Sequence, residues 1–220
     1  MKYRGIIFVL DRTLLNSLAD LADAANATLA KMAFPTHPEK AYCYYVGDGV
    51  RTLVERILPP EKRQDEAVLE QFLSMYVEEY GKRWDQKTVP YPGIPEMLDQ
   101  LQEMGLKLGV FSNKPAVFTK KCVEKLLGHW HFDTVVGQCE EIPKKPDPTG
   151  CFHIQNEWGL KTEEIAYCGD TATDMLTARQ AGFFSFGVTW GFRPEEELRA
   201  SGACHIVRHP REILSVIQEA

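Results

Sequence analysis

The sequence has 6 cysteines in 220 residues but no Cys-x-x-Cys pair among Cys43, Cys122, Cys139, Cys151, Cys168 and Cys204. That absence argues against a zinc ribbon or a dithiol redox motif. Without a secretory leader, the thiols are expected to be free, buried and cytoplasmic. Long apolar runs are missing too. The N-terminal one, Ile6–Leu10, is too short for a membrane span and lacks a small-residue cleavage site. Positive charge is in deficit, with 25 Lys+Arg against 31 Asp+Glu and a formal charge of -6, so there is no basic footprint for nucleic acid. No internal repeat or low-complexity tract occurs. What is present is 44% hydrophobic and 25% charged residues, an ordinary globular balance in a chain long enough to bury a core without disulfide or metal staples. A cytoplasmic protein with no membrane or nucleic-acid partner is expected, its oligomeric state left open.

Short apolar runs alternate with longer amphipathic stretches. The runs are Ile6–Leu10, Leu108–Phe111, Thr134–Val136, Ile165–Cys168, Phe184–Val188 and Cys204–Val207. Continuous apolar character suits strands covered on both faces, and strand–helix alternation predicts a Rossmann-like, doubly wound, mainly parallel α/β sheet. Leu18, Leu21, Ala25, Leu29 and Met32 mark one face of a helix that Asn16 or Ser17 would cap. From there to Lys87 nothing reads as a strand, while Val50–Leu58 and Glu61–Trp84 read as helices. Residues 17–90 are therefore expected to form an inserted α-helical cap domain, and 1–16 with 91–220 a discontinuous core. Pro90 and Pro92 would stiffen the returning linker.

Ligands of open α/β sheets gather beyond the carboxyl ends of the strands. Asp11-Arg12-Thr13 follows the first run, Ser112-Asn113 the second, and Asp170 to Asp174 the fourth, while Lys145-Pro146 precedes a helix expected near Pro148. Each stretch alone reads more simply as local structure: a turn Asp, a helix N-cap, a solvated loop, a residue favouring a helix dipole. Their order on successive strand ends points to one shared site. A carboxylate, a hydroxyl, a lysine and paired aspartates suit phosphate chemistry with a hard metal. His129-Trp130-His131 has no third ligand nearby and is read as structural.

These residues resemble the motifs of the haloacid dehalogenase-like superfamily of phosphotransferases and, more narrowly, bacterial phosphoglycolate phosphatases. The likeness runs through Phe8–Ala27, Val46–Leu53, Tyr91-Pro92-Gly93, Val110–Pro115, Lys145–Pro148, Gly169–Asp174 and Gly187–Gly191. It implies hydrolysis of a small phosphorylated metabolite, 2-phosphoglycolate first, through an aspartyl phosphate. By position it implies that Asp11 is the acid/base, and that Mg²⁺ is held by the Asp11 backbone carbonyl, Asp170 and Asp174. Ser112 and Asn113 would hold phosphate with Arg12 and Thr13 beside them, and Lys145 would screen its charge. Arg51, in the cap stretch, would grip a substrate carboxylate or a helix-surface partner.

The family's first motif reads Asp-x-Asp-Gly-Thr, and here its nucleophile position holds Val9 and its glycine position Arg12. Valine can neither attack phosphorus nor ligate a metal. Together the two residues shift the site by two charge units against cation binding. Weak or absent Mg²⁺ binding is expected, with the Arg12 guanidinium near Asp11, Asp170 or Asp174 supplying part of the missing charge. A shifted reading makes Asp11 the nucleophile and Thr13 the acid/base, but Leu14 and Leu15 break the motif in that register. Two readings stand: a phosphatase strongly impaired by Val9 and Arg12, or a non-catalytic descendant that binds a phosphate ligand or a protein.

Overall fold

A computed structural model describes residues 2–219. The chain divides into two compact units: one runs to Leu15 and resumes at Pro90, and the other is Asn16–Val89. In chain order the strands are β1 (Gly5–Phe8), β2 (Leu15–Asn16), β3 (Val89–Pro90), β4 (Lys107–Pro115), β5 (Thr134–Gln138), β6 (Ile165–Gly169), β7 (Phe184–Val188) and β8 (His205–Val207). Six of them form one sheet in the order β5-β4-β1-β6-β7-β8, every neighbouring pair parallel. A separate two-stranded sheet pairs β2 with β3. The main sheet has the doubly wound order, reversing at β1. On either side of β1, Gly5 registers with Lys107 of β4 and with Ile165 of β6.

The sheet is buried because its strands are apolar on both faces, as β1 and β6 show by being buried along their whole length. Helices α5 (Ile94–Glu103), α6 (Ala116–Leu126), α7 (Thr149–Trp158), α8 (Ala172–Ala181), α9 (Glu195–Ala200) and α10 (Pro210–Glu219) follow strands or loops of this unit. Ile7 and Val9 lie two apart and so share a face, where they join Phe111, Cys151, Ile154 and Trp158 in one apolar cluster. Cys122, Cys151 and Cys168 are buried as expected, but Cys139 and Cys204 are exposed. Both sit at loop positions beside strand ends.

The second unit is helical: α1 (Leu18–Lys31), α2 (Tyr42–Tyr45), α3 (Val50–Ile57) and α4 (Glu66–Gly81). Ser17 takes the N-cap position of α1 but makes no capping bond with its side chain. The helix expected from Glu61 starts five residues later, because Pro59 and Pro60 impose a short 3-10 turn and Asp65 caps α4 by accepting from Val68 N. Two buried carboxylates organise the unit. Asp20 accepts from Lys87 N, Thr88 N and Thr88 Oγ1, the last two at 2.9 and 2.7 Å, and so ties α1 to the end of the insert. Glu79 pairs with Lys31 and Lys82 at 2.7 and 2.8 Å and with Arg83. No described helix is long and apolar enough to cross a membrane.

The lysine hydrogen bonds to Glu79 outweigh its desolvation and hold its carboxyl down at about 2. A carboxylate whose folded pKa is depressed stabilises the fold above its unfolded value and loses that contribution as protons bind. The helical unit should therefore lose stability between about pH 4.5 and 2, the ordinary and depressed values of this group. Glu79→Gln should be less stable at neutral pH and show a flatter decline across that window, read from thermal melts followed by circular dichroism.

Candidate active site

The carboxyl ends of β1, β4 and β6 bring the sequence-selected residues of the core unit together. Val9, directly after β1, donates its backbone N–H to Cys168 O at 2.9 Å and buries its side chain in the apolar cluster under the sheet edge. No carboxylate stands at this position. Two residues on, Asp11 Oδ1 lies 2.8 Å from Lys114 Nζ. Asp11 also bridges to Leu15, which closes the chain into a tight turn over Arg12 and Thr13. Thr13 is buried; its carbonyl accepts from Trp190 Nε1 at 3.0 Å, while its Oγ1 has no hydrogen-bond partner.

Arg12 turns the backbone through φ +69°, in the left-handed region. A residue with a side chain adopts that conformation at a cost of about 1–2 kcal/mol, which glycine avoids. Its buried side chain points inward: Nε lies 3.6 Å from Asp170 Oδ2, an ion-pair distance, and the guanidinium lies 5.7 Å from the centre of the Phe192 ring. The expected approach of Arg12 to the aspartates is thus present at Asp170.

β4 runs past its regular ladder, with a register shift against β5 between Ser112 and Pro115. Such irregularities re-aim side chains at sheet edges. Ser112 and Asn113 were expected to cap a helix if they were merely structural; instead both lie within β4. Ser112 Oγ accepts from Lys114 N at 3.1 Å. Asn113 brackets the backbone of Lys145: its Oδ1 accepts from Lys145 N at 2.7 Å and its Nδ2 donates to Lys145 O. This amide clasp fixes the 144–147 loop so that Lys145 Nζ, buried over the Phe111 ring, reaches Asp174 Oδ1 at 2.6 Å.

Asp174 is the third residue of α8 and half of a capping box with Thr171. Its Oδ2 accepts from the backbone N–H of Asp170 and Thr171 and from Thr171 Oγ1 at 2.6 Å. Burial alone would raise its carboxyl; the charge and hydrogen bond of Lys145 overcome that and hold it below the usual range. Asp170, just beyond β6, goes the other way. Burial pushes it up to about 6, against the pull of the Arg12 guanidinium and with help from the Asp174 charge. Its Oδ2 also accepts from Phe192 N at 3.4 Å, and its Oδ1 is buried without a hydrogen-bond partner. Gly191 must be glycine here, since a Cβ would sit 2.5 Å from Asp170 Cβ.

Two contributors escape a reading by sequence alone. Lys114 is visible only as the residue after Ser112-Asn113, and nothing in the spacing says that it meets Asp11. Trp190-Gly191-Phe192 closes over Thr13, Asp170 and Arg12. Arg51 belongs to the helical unit, where it is half exposed and its guanidinium is taken by Glu66 at 2.6 Å and by Glu55 at 3.2 Å. His131 is likewise structural in setting: its N–H meets Gln102, and neighbouring Trp130 Nε1 donates to Asp99.

The donor set does not suit Mg²⁺. That ion requires about six oxygens in octahedral array. Asp174 is saturated by Lys145 and the capping box, Asp170 Oδ2 faces Arg12, and Val9 offers nothing. Asp170 Oδ1 is a single orphaned oxygen. Among the described residues no group of three or more His, Cys, Asp or Glu is placed to share a metal.

Residues 6–188 match the family model of haloacid dehalogenase-like hydrolases. The chain is 30% identical over 215 residues to a phosphoglycolate phosphatase of Yersinia pestis, covering 97% of this chain and 93% of that protein. It is 31% identical over 199 residues to one of Psychrobacter arcticus, covering 88% and 86%. A solved structure of a predicted phosphoglycolate phosphatase from Haemophilus somnus superposes with a TM-score of 0.90 at 26% identity, covering 99% of both chains. A haloacid dehalogenase-like hydrolase of Streptococcus pneumoniae shares the fold, with a TM-score of 0.87 at 22% identity over 98% of this chain and 99% of that one.

Breaking a buried ion pair at one partner strands the other charge, at about 3–5 kcal/mol. Lys145→Ala should therefore destabilise the core unit by about that amount in urea unfolding. Adding Asp174→Asn should recover part of the loss; equal stability of the single variant and the unmodified chain would contradict the pairing.

Proposed function

The chain belongs to the haloacid dehalogenase-like hydrolase family, and on that premise we propose that its core unit is a receptor for small phosphorylated metabolites, 2-phosphoglycolate first among them, with the hydrolytic step disabled at Val9. One observation carries this reading. Asp11, Ser112, Asn113, Lys145, Asp170 and Asp174 are assembled at the strand ends, yet the residue at their centre of attack is a valine sunk in an apolar cluster. Phosphatases of this family act on phosphate esters with Mg²⁺, an ion that the donor set of this chain does not suit.

The proposed roles follow from the chemistry of each group. Ser112 Oγ, which accepts from Lys114 N, keeps its own O–H to donate to a phosphoryl oxygen. Lys145 opposes phosphoryl charge from a buried position. Asp11, at a partly open position and held by Lys114, is the group that would exchange a proton with the ester oxygen. The phosphoryl group therefore has polar partners but no nucleophile of the chain. A grip by Arg51 on a substrate carboxylate would first have to displace Glu66 and Glu55. The shifted reading of Asp11 as nucleophile is disfavoured by its place two residues past Val9, in a turn bridged to Leu15.

Loss of a nucleophile in a hydrolase reduces turnover by about 10³-fold or more. Phosphate release from 2-phosphoglycolate in the presence of Mg²⁺ should accordingly be at least ~10³-fold slower in this chain than in a Val9→Asp, Arg12→Gly double variant. Brisk turnover by the unmodified chain would overturn the assignment of Val9. Silence in both, with the double variant folded, would favour a binding role over a disabled phosphatase of this substrate.

A further inference from the structure

Three carboxylates meet three cations at the sheet edge. Asp11 faces Lys114 at 2.8 Å, Asp174 faces Lys145 at 2.6 Å, and Asp170 faces Arg12 at 3.6 Å. The cluster is thus balanced in charge by the chain itself. The third pair is the unusual one. Arg12 adopts a left-handed backbone that favours glycine, and strain of this kind persists where the surroundings over-determine it. Here they do: Leu15 O accepts from Arg12 N at 2.7 Å, the Phe192 ring faces the guanidinium, and Gly191 lets its strand-end loop approach Asp170 closely enough to hold both.

We propose that Arg12 is a built-in counter-cation, which makes this edge a receptor for a phosphoryl dianion that works without a divalent metal and leaves no site for one. Relative to an aspartate at position 9 and a glycine at position 12, Val9 and Arg12 together add two positive charge units, the charge of one divalent ion. The two residues therefore give the metal-free chain the charge balance that a metal would otherwise have to bring. Any Mg²⁺ reaching Asp170 must displace a buried guanidinium, and by linkage an anion that favours the Arg12 arrangement disfavours the ion. Buried Arg suits this task because it stays protonated and is weakly hydrated. The inference rests on the phosphate-receptor reading above but concerns binding, not turnover.

Titration calorimetry of the unmodified full chain with inorganic phosphate, in EDTA and in millimolar Mg²⁺, tests it. The expected result is saturable phosphate binding whose affinity differs by less than about twofold between the two conditions, and no saturable binding of Mg²⁺ alone. Arg12→Gly should bind phosphate at least ~10-fold more tightly with Mg²⁺ than with EDTA, having lost its own counter-charge. Arg12→Lys, which keeps the charge, should remain indifferent to Mg²⁺ and decides the matter if the glycine variant does not fold. Phosphate binding that needs Mg²⁺ in the unmodified chain, saturable Mg²⁺ binding there, or no phosphate binding in either condition would overturn the proposal. Turnover by the Val9→Asp, Arg12→Gly variant is independent of these outcomes, so failure of the receptor's metal independence and failure of the disabled-phosphatase reading are separately visible.

Discussion

Carboxylates gathered at one edge of a parallel sheet stay ionised in the interior only if counter-charge is delivered to each of them. Much of the local geometry of the core unit follows from that demand. β4 abandons its regular pairing to present Asn113 and Lys114. Asn113 then clasps the backbone of Lys145, which lets a loop residue act with the precision of a strand residue. The capping box at α8 serves twice, ending a helix and holding Asp174 in place for that lysine. Where delivery is least complete, at Asp170, the carboxyl rises. The chain answers with a strained arginine and a close-packed glycine.

The parallel sheet was legible because continuous apolar runs have one economical explanation, strands covered on both faces. So was the grouping of Asp11, Ser112, Asn113, Asp170 and Asp174, since the doubly wound order places their strand ends on one edge, which Lys145 joins from a loop through Asn113. Lys114 was not legible as the partner of Asp11, because a one-residue step along an extended strand swaps faces and only the register shift decides which way it points. Phe192 was hidden for another reason: its contact with Arg12, 180 residues distant in sequence, leaves no period to detect. The exposed Cys139 and Cys204 show the limit of reading burial from residue type.

The helical unit uses the same chemistry to a different end. Asp20 lies on the buried side of α1, between positions that read as a plain apolar stripe, and is satisfied wholly by the far end of its own unit. Glu79 is surrounded by three cations and has no spare capacity. Buried carboxylates alone therefore do not distinguish a reactive edge from a structural clasp. Partners do: Asp20 and Glu79 are closed by their neighbours, whereas Asp170 keeps an oxygen with none.

The placement of β1 at the reversal of the sheet has a consequence for synthesis. Its two neighbours begin at Lys107 and Ile165, so β1 leaves the ribosome well before either strand that will pair with it. Residues 16–89 are complete before either neighbour has been made. The bonds from Asp20 to Thr88 can close that segment on its own while Ile6, Ile7 and Phe8 still wait for a sheet. The insertion thus sets an order of assembly: the interrupting unit can mature first, and the interrupted one holds an apolar strand exposed for about a hundred residues of elongation.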